Sequence, residues 1–279
     1  NVTITVTNSV FEGNKSSAFL TSGDNSAKQT INLSTSTFRD NNVGVDLAHG
    51  GSGDFVFNIS NNPTFLRHAN DAIRAGTADT ATNAMQVVGT ILNNTIGDGL
   101  PGTADSGSRD SQGIDIDIRG DADSIVSITG NTVSHTDIEG IRVQGRLDDQ
   151  DGPDAEKGRL DLTLRNNVVN TPDDNSAFPF GNLHGVLIEA RNTFTVCMDI
   201  ANNDSSSVGT FEHFRVRQRD SSVFLLERLS DGDGTPNEVL NNVATVESHI
   251  AGQNVAGSSA DATLVSGFTE AVSGTCRKP

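Results

Sequence analysis

Carboxylates and guanidinium groups recur at matching places in a set of short segments, and they are where chemistry is to be sought. Asp46, Arg74, Asp115, Arg142, Leu187 and Arg215 each follow the apolar residue that leads such a segment. Two places further on stand Asp117, Gln144, Glu189 and Arg217. If the segments are neighbouring strands, Asp115 and Asp117 form a candidate acid/base pair, with Arg142 placed to hold a sugar acid. The same residues also read as a salt-bridge ladder, Asp115 above Arg142 and Glu189 above Arg217, worth roughly a few tenths of a kcal/mol per pair. The alternation of sign favours the ladder.

A second cluster suits a metal. Asp148, Asp149, Asp151, Asp154 and Glu156 place five carboxylates within nine residues, and Gly152 permits a tight bend. Calcium takes six to eight oxygens, which such a loop and its carbonyls could supply. The spacing falls short of an EF-hand, so a solvated acidic loop is the plainer reading; Asp231 and Asp233 make a weaker candidate. Calcium is the one cofactor to be considered. There is no H-E-x-x-H, G-x-S-x-G or G-K-[ST] motif, and the G-x-G-x-x-G match at Gly97–Gly102 contains Pro101. No residue is therefore assigned a catalytic role. His184 and His213 read as turn residues. The absence of Trp and Tyr weakens a sugar-stacking platform.

Composition narrows the class. A formal net charge of −17 is repelled by nucleic acid and anionic lipid. No run of eighteen apolar residues is present, so no membrane insertion is expected. No signal peptide is visible and the chain begins at Asn1, which suggests a mature product or an excised piece.

The elements that must position these groups are repeats. ITVTNS, INLSTS, FNISNN, GTILNN, VSITGN, LTLRNN and MDIANN share one pattern, ending on Ser9, Ser36, Asn62, Asn94, Asn131, Asn167 and Asn203. The intervals are 27, 26, 32, 37, 36 and 36 residues. Three places earlier stand Val6, Leu33, Ile59, Ile91, Ile128, Leu164 and Ile200; five places earlier the column is apolar except at Gly89. Such period-two alternation marks a strand with one buried face. A second apolar column leads from Phe19, Val45, Ile73, Ile114, Ile141, Val186 and Phe214, with Gly44, Gly113, Gly140 and Gly185 just before four of them. A third, less regular strand per repeat is expected. No helical period fills the intervals, so a doubly wound α/β fold is excluded. The fold class is all-β: a right-handed parallel β-helix of about seven to eight rungs. Asn62, Asn94, Asn131, Asn167 and Asn203 then stack as a polar ladder, or serve simply as turn formers.

The pattern changes after Arg219. Val223 begins one more strand, and Thr235-Pro-Asn-Glu238 reads as a capping box. Val239, Leu240, Val243, Val246 and Ile250 follow at helical spacing, with Gly252 as the stop. The expected division is 1–229 for the solenoid and 230–279 for a helix and tail that cap its open end. Cys197 lies on the outward side of its strand, and Cys276 in the tail can reach back to it. Two free thiols are the alternative; a disulfide implies an oxidising compartment. The N-terminal end lacks an equivalent cap, so either further rungs precede it or a partner, such as another copy, covers it.

The segments "NNTIGDG…GID", "GNTVSHTDIEGIRVQ" and "EARNTFTVCMDIANN…FRVRQRDSSVFLLERL", followed by "AGQN…GFTEAVSGTC", resemble the β-helix-repeat, pectate-lyase-like modules of very large bacterial secreted and surface proteins. The likeness covers nearly the whole chain and is most specific from Glu189 to Cys276. It implies an adhesin, passenger domain or filament component, with no catalytic motif to carry over. The expectation is thus a non-catalytic extracellular structural or adhesive module that meets protein or polysaccharide at a cell surface. The alternative is a polysaccharide lyase, hydrolase or epimerase working from an outer strand face.

Overall fold

The computed structural model describes residues 1–24, 26–79, 81, 85–100, 106–147, 158–170, 184–206, 211–229 and 238–279. Within them the chain is an all-β parallel solenoid with three walls. The first wall stacks Val2–Thr7, Gln29–Ser34, Phe55–Ser60, Gln86–Leu92, Asp123–Thr129, Arg159–Arg165, Thr195–Ala201, Val223–Glu227, Phe268–Ala271 and Val239–Leu240. The second stacks the short strands Val10–Glu12, Thr37–Arg39, Thr64–Leu66, Thr95–Ile96, Thr132–Ser134, Val168–Asn170 and Asp204–Ser205. The third stacks Ser17–Asp24, Val43–Gly50, Ile73–Thr77, Ile114–Arg119, Ile141–Arg146, Val186–Ala190, Phe214–Gln218 and Ala260–Thr263. The less regular strand of each repeat therefore lies between the two strands that are plain in the sequence.

Register follows the apolar columns. Leu33, Ile59, Ile91, Ile128, Leu164 and Ile200 are consecutive partners in the first wall. All are buried, as are Ile73, Ile114, Ile141, Val186 and Phe214 of the third wall. One continuous apolar core runs along the axis. Gly89 interrupts its column because Phe57, its partner on the previous rung, fills the space; a Cβ at Gly89 would come within 2.2 Å of Phe57 Cζ. In the second wall Phe11, Phe38 and Phe65 stack with ring centroids 4.9 and 4.7 Å apart, close to the strand spacing itself.

The corner between the first and second walls explains the Asn-Asn pairs. The first residue of each pair takes a left-handed conformation: φ is 54° at Asn61, 53° at Asn93, 56° at Asn166 and 56° at Asn202, and Gly130 serves at 68°. Asn and Gly tolerate that region best. The second residue points inward and builds the ladder. Asn62 Nδ2 donates to Asn94 Oδ1 at 2.9 Å, Asn94 to Asn131 at 3.0 Å, Asn131 to Asn167 at 3.0 Å and Asn167 to Asn203 at 2.9 Å. Each Oδ1 also accepts from the backbone N–H of the preceding member, and each Nδ2 reaches a carbonyl of the first wall, as Asn94 does at Ile59.

At the C-terminal end the helix spans Val243–Gln253, and Asn242 caps it by accepting from the Thr245 N–H at 3.2 Å. This corrects the expected start. Val239 and Leu240 are not helical; they pair antiparallel with Phe268–Ala271, where an open strand edge is available. Thr235–Asn237 lie outside the described residues. Gly252 is inside the helix, and the C-cap is Asn254. Val246 and Ile250 are buried, whereas Val243 is exposed. Asn254 also extends the ladder, accepting from Asn203 Nδ2 at 2.9 Å. Ala260–Thr263 and Phe268–Ala271 then continue the third and first walls.

The last residues turn back over the first wall. Glu227 Oε1 accepts from the backbone N–H groups of Gly274 and Cys276. A disulfide joins Cys276 to Cys197, with Cα atoms 5.4 Å apart. Arg277 reaches Asp161 at 2.7 Å and also pairs with Asp123, while Lys278 meets Asp199 at 2.9 Å. The tail thus crosses the outer faces of four successive strands, which is why outward-facing Cys197 is buried. Among the described residues no helix is long and apolar enough to cross a membrane.

Candidate functional site

The inner face of the third wall is filled by apolar side chains, so the intervening polar residues must face outward. Asp46, Arg74, Asp115, Arg142, Leu187, Arg215 and Asp261 form one register column. Its charges associate in discrete pairs. Arg74 grips Asp46 through two bonds of 2.6 and 2.9 Å, and Arg142 grips Asp115 through two of 2.7 and 2.8 Å. Arg215 meets Asp261 at 3.2 Å. In the next column Arg146 holds Asp117 with bonds of 3.0 and 2.8 Å, and Arg119 adds a third at 2.8 Å. Glu189 pairs with Arg217 at 3.2 Å, with Arg219 at 3.0 Å and with Arg191. The pairs Asp115–Arg142 and Glu189–Arg217 join neighbouring rungs. The carboxylates are sheltered although they lie on the outer face: the Asp115 side chain is 4 % exposed and that of Glu189 1 %.

These contacts set the proton chemistry. Burial would raise the Asp117 pKa, but the bonds from Arg146 and Arg119 overcome it and hold the carboxyl below its ordinary range. Asp117 is therefore a poor proton donor near neutrality. Burial likewise opposes the charge on Arg142, yet its bond to Asp115 raises its pKa above the ordinary value.

Two further acids sit where the chain turns into this wall. Asp71 accepts from Ser111 Oγ at 2.6 Å, and Glu139 accepts from Gln112 Nε2 at 2.9 Å. Burial pushes Glu139 up to about 7, against the opposing influence of Gln112 and Arg142. Burial, and then the charge of Asp115, raise Asp71. Sequence reasoning missed both, because an acid just before an alanine or glycine at a strand entrance looks like any turn residue. Nearby, a concavity of about 350 Å³ opens over Ala48 and Gly76, walled by Leu20, Asp46, Arg74, Asp117 and Arg119.

The remaining candidates divide. Asp148, Asp149, Asp151, Asp154 and Glu156 lie outside the described residues, as do Asp231 and Asp233. The ladder asparagines Asn62, Asn94, Asn131, Asn167 and Asn203 are buried and spend their amide groups on one another and on the backbone. His184 lies just ahead of the strand Val186–Ala190, its Nδ1 2.6 Å from the Glu212 carbonyl and its Nε2 3.2 Å from Arg215. Among the described residues one group has metal-binding proximity, Asp161 with Cys197 and Cys276, but both sulfurs are committed to the disulfide and offer no thiolate. No family model, curated protein or solved structure matches the chain.

Proposed function

We propose that this chain is a non-catalytic structural or adhesive module of an extracellular protein. In this reading it is a right-handed parallel β-helix of the kind its sequence resembles, with the helix and tail covering the C-terminal end. Parallel crossovers in one sheet are right-handed in nearly all proteins, which supports the hand. The disulfide supports an oxidising compartment. The observation that carries the functional reading is the fate of the outward carboxylates. Asp46, Asp115, Asp117 and Glu189 are each gripped by one or more guanidinium groups, an arrangement that stiffens a wall and commits these four carboxylates to ion pairs.

A second reading has one specific observation in its favour. Glu139 can exchange a proton near neutrality and lies in the electrostatic reach of Asp115 and Arg142, as an acid catalyst on a polysaccharide would. Incubation of the purified chain with a panel of neutral and uronic-acid polysaccharides separates the two. The structural reading expects no new reducing or unsaturated ends. Turnover that disappears in both Asp115→Ala and Glu139→Gln, with folding intact, would replace it by the enzymatic one.

A further inference from the structure

Four arginines stand in line at the outer edge of the third wall. Arg119 and Arg146 are register partners, and Arg191 and Arg219 occupy the same place on the next two rungs, as their backbone bonds to Gly145 and Ala190 fix. Successive rungs of a parallel sheet are about 4.8 Å apart, so the backbone positions of these arginines repeat at that interval along the axis, while their guanidinium groups gather in two sets, Arg119 and Arg146 on Asp117 and Arg191 and Arg219 on Glu189. Arg217 lies beside the column.

Among the described residues the ion pairs here do not balance. Among the described residues these five guanidinium groups face three carboxylates: Asp117, Glu189 and, at 3.5 Å from Arg119, Asp79. Among the described residues two guanidinium charges are thus left over within ion-pair distance, on a chain whose formal net charge is −17. Burial lowers the Arg217 pKa, Glu189 opposes this, and the charges of Arg219, Arg215 and Arg191 lower it further, whereas the bond to Asp117 raises that of Arg146. The four column arginines are nonetheless 31 to 36 % exposed, so part of each fork faces solvent.

We infer that the column Arg119, Arg146, Arg191 and Arg219 is a binding surface for a linear sulfated polysaccharide lying parallel to the solenoid axis. Cations set in line on successive rungs suit a polymer that presents anions repeatedly along one direction. Arg146 already gives its two-pronged grip to Asp117, and Arg119, Arg191 and Arg219 each turn toward a resident carboxylate. Each of the four side chains remains partly open to solvent, and a sulfate, with three outward oxygens, can bridge two neighbouring guanidinium groups. A carboxylate also bridges two arginines, as Asp117 does, but it lacks the third oxygen that a sulfate can turn to a further one. This deepens the adhesive reading by naming a partner, and rests on it only for the compartment where that partner is met.

The test is binding of the whole chain to immobilised dextran sulfate, with alginate and single-stranded DNA as alternative polyanions. The double variant Arg146→Gln with Arg219→Gln leaves Asp117 paired with Arg119, and Glu189 with Arg191 and Arg217, so folding is retained; a thermal melt verifies this. Dextran sulfate should bind in low salt, and the double variant should weaken it by about tenfold or more, since lost phosphate-like contacts act multiplicatively. Arg67→Gln, which removes an exposed guanidinium elsewhere, should leave binding unchanged. The inference is overturned if wild type does not bind, if Arg67→Gln weakens binding as much as the double variant, or if alginate or DNA binds as tightly. Cleavage of a bound polymer would instead count against the non-catalytic reading and leave the binding surface standing.

Discussion

Single residues carry strain and buried polarity that the fold must accommodate. Thr35 occupies the left-handed position ahead of the ladder, at φ 50°, where most other rungs use Asn or Gly. A β-branched residue is disfavoured there, so Thr35→Asn should raise stability by about 1 kcal/mol, read as a higher urea midpoint at unchanged slope. Asn131 sits mid-ladder, and its Oδ1 accepts from both the backbone and the side chain of Asn94. Asn131→Ala leaves those buried donors without an acceptor, and about 2–4 kcal/mol of stability should be lost. Glu139 gives the fold a pH dependence. Its folded pKa lies above the unfolded value, so the ionised form is penalised in the native state. Stability should fall as pH rises from about 4.5 to about 7, and stay lower above that. Glu139→Gln should remove that slope and stabilise the protein at pH 8 by about 2–3 kcal/mol in denaturant titrations at several pH values. The ladder was legible in the sequence because Asn-Asn recurs behind an apolar alternation. Glu139 was not, since its burial depends on what three neighbouring rungs place around it.

Whole elements were legible wherever side-chain periodicity decides them. The first and third walls follow from apolar alternation, and their register from the columns. The second wall is built of strands two or three residues long, too short to show a period, so it emerged only as an irregular third strand. The helix follows from its apolar spacing, but its start does not. Val239 and Leu240 fit a helical face, yet tertiary pairing with Phe268–Ala271 claims them, and Asn242 supplies the cap instead. The tail was legible only in its cysteine. Nothing local announces that Arg277 and Lys278 will find Asp123, Asp161 and Asp199, which are remote in sequence. The disulfide closes a loop with a sequence separation of 79. Replacing both Cys197 and Cys276 by Ser should cost about 4 kcal/mol if chain entropy dominates. Urea denaturation of the double variant, with the wild type as reference, measures it.

The molecule as a whole is quasi-one-dimensional: each rung touches chiefly the rungs above and below. Stability should then depend on position along the axis. Ile128 is buried between neighbours on both sides, whereas Ile4 belongs to the first rung and is only partly covered. Ile128→Ala should cost about 3–4 kcal/mol and Ile4→Ala much less, in equilibrium unfolding monitored by circular dichroism. Equal costs would show that the coil behaves as one undivided cooperative block.

The returning tail breaks this nearest-neighbour rule, since it ties together strands as far apart as Asp123–Thr129 and Phe268–Ala271. Under mechanical load the two halves should therefore behave differently. Drawn out from Asn1, the protein should unspool coil by coil with small, evenly spaced force peaks. On reaching the strand that carries Asp123 it should resist more strongly, and at Cys197 stop yielding length altogether until the sulfur link is reduced.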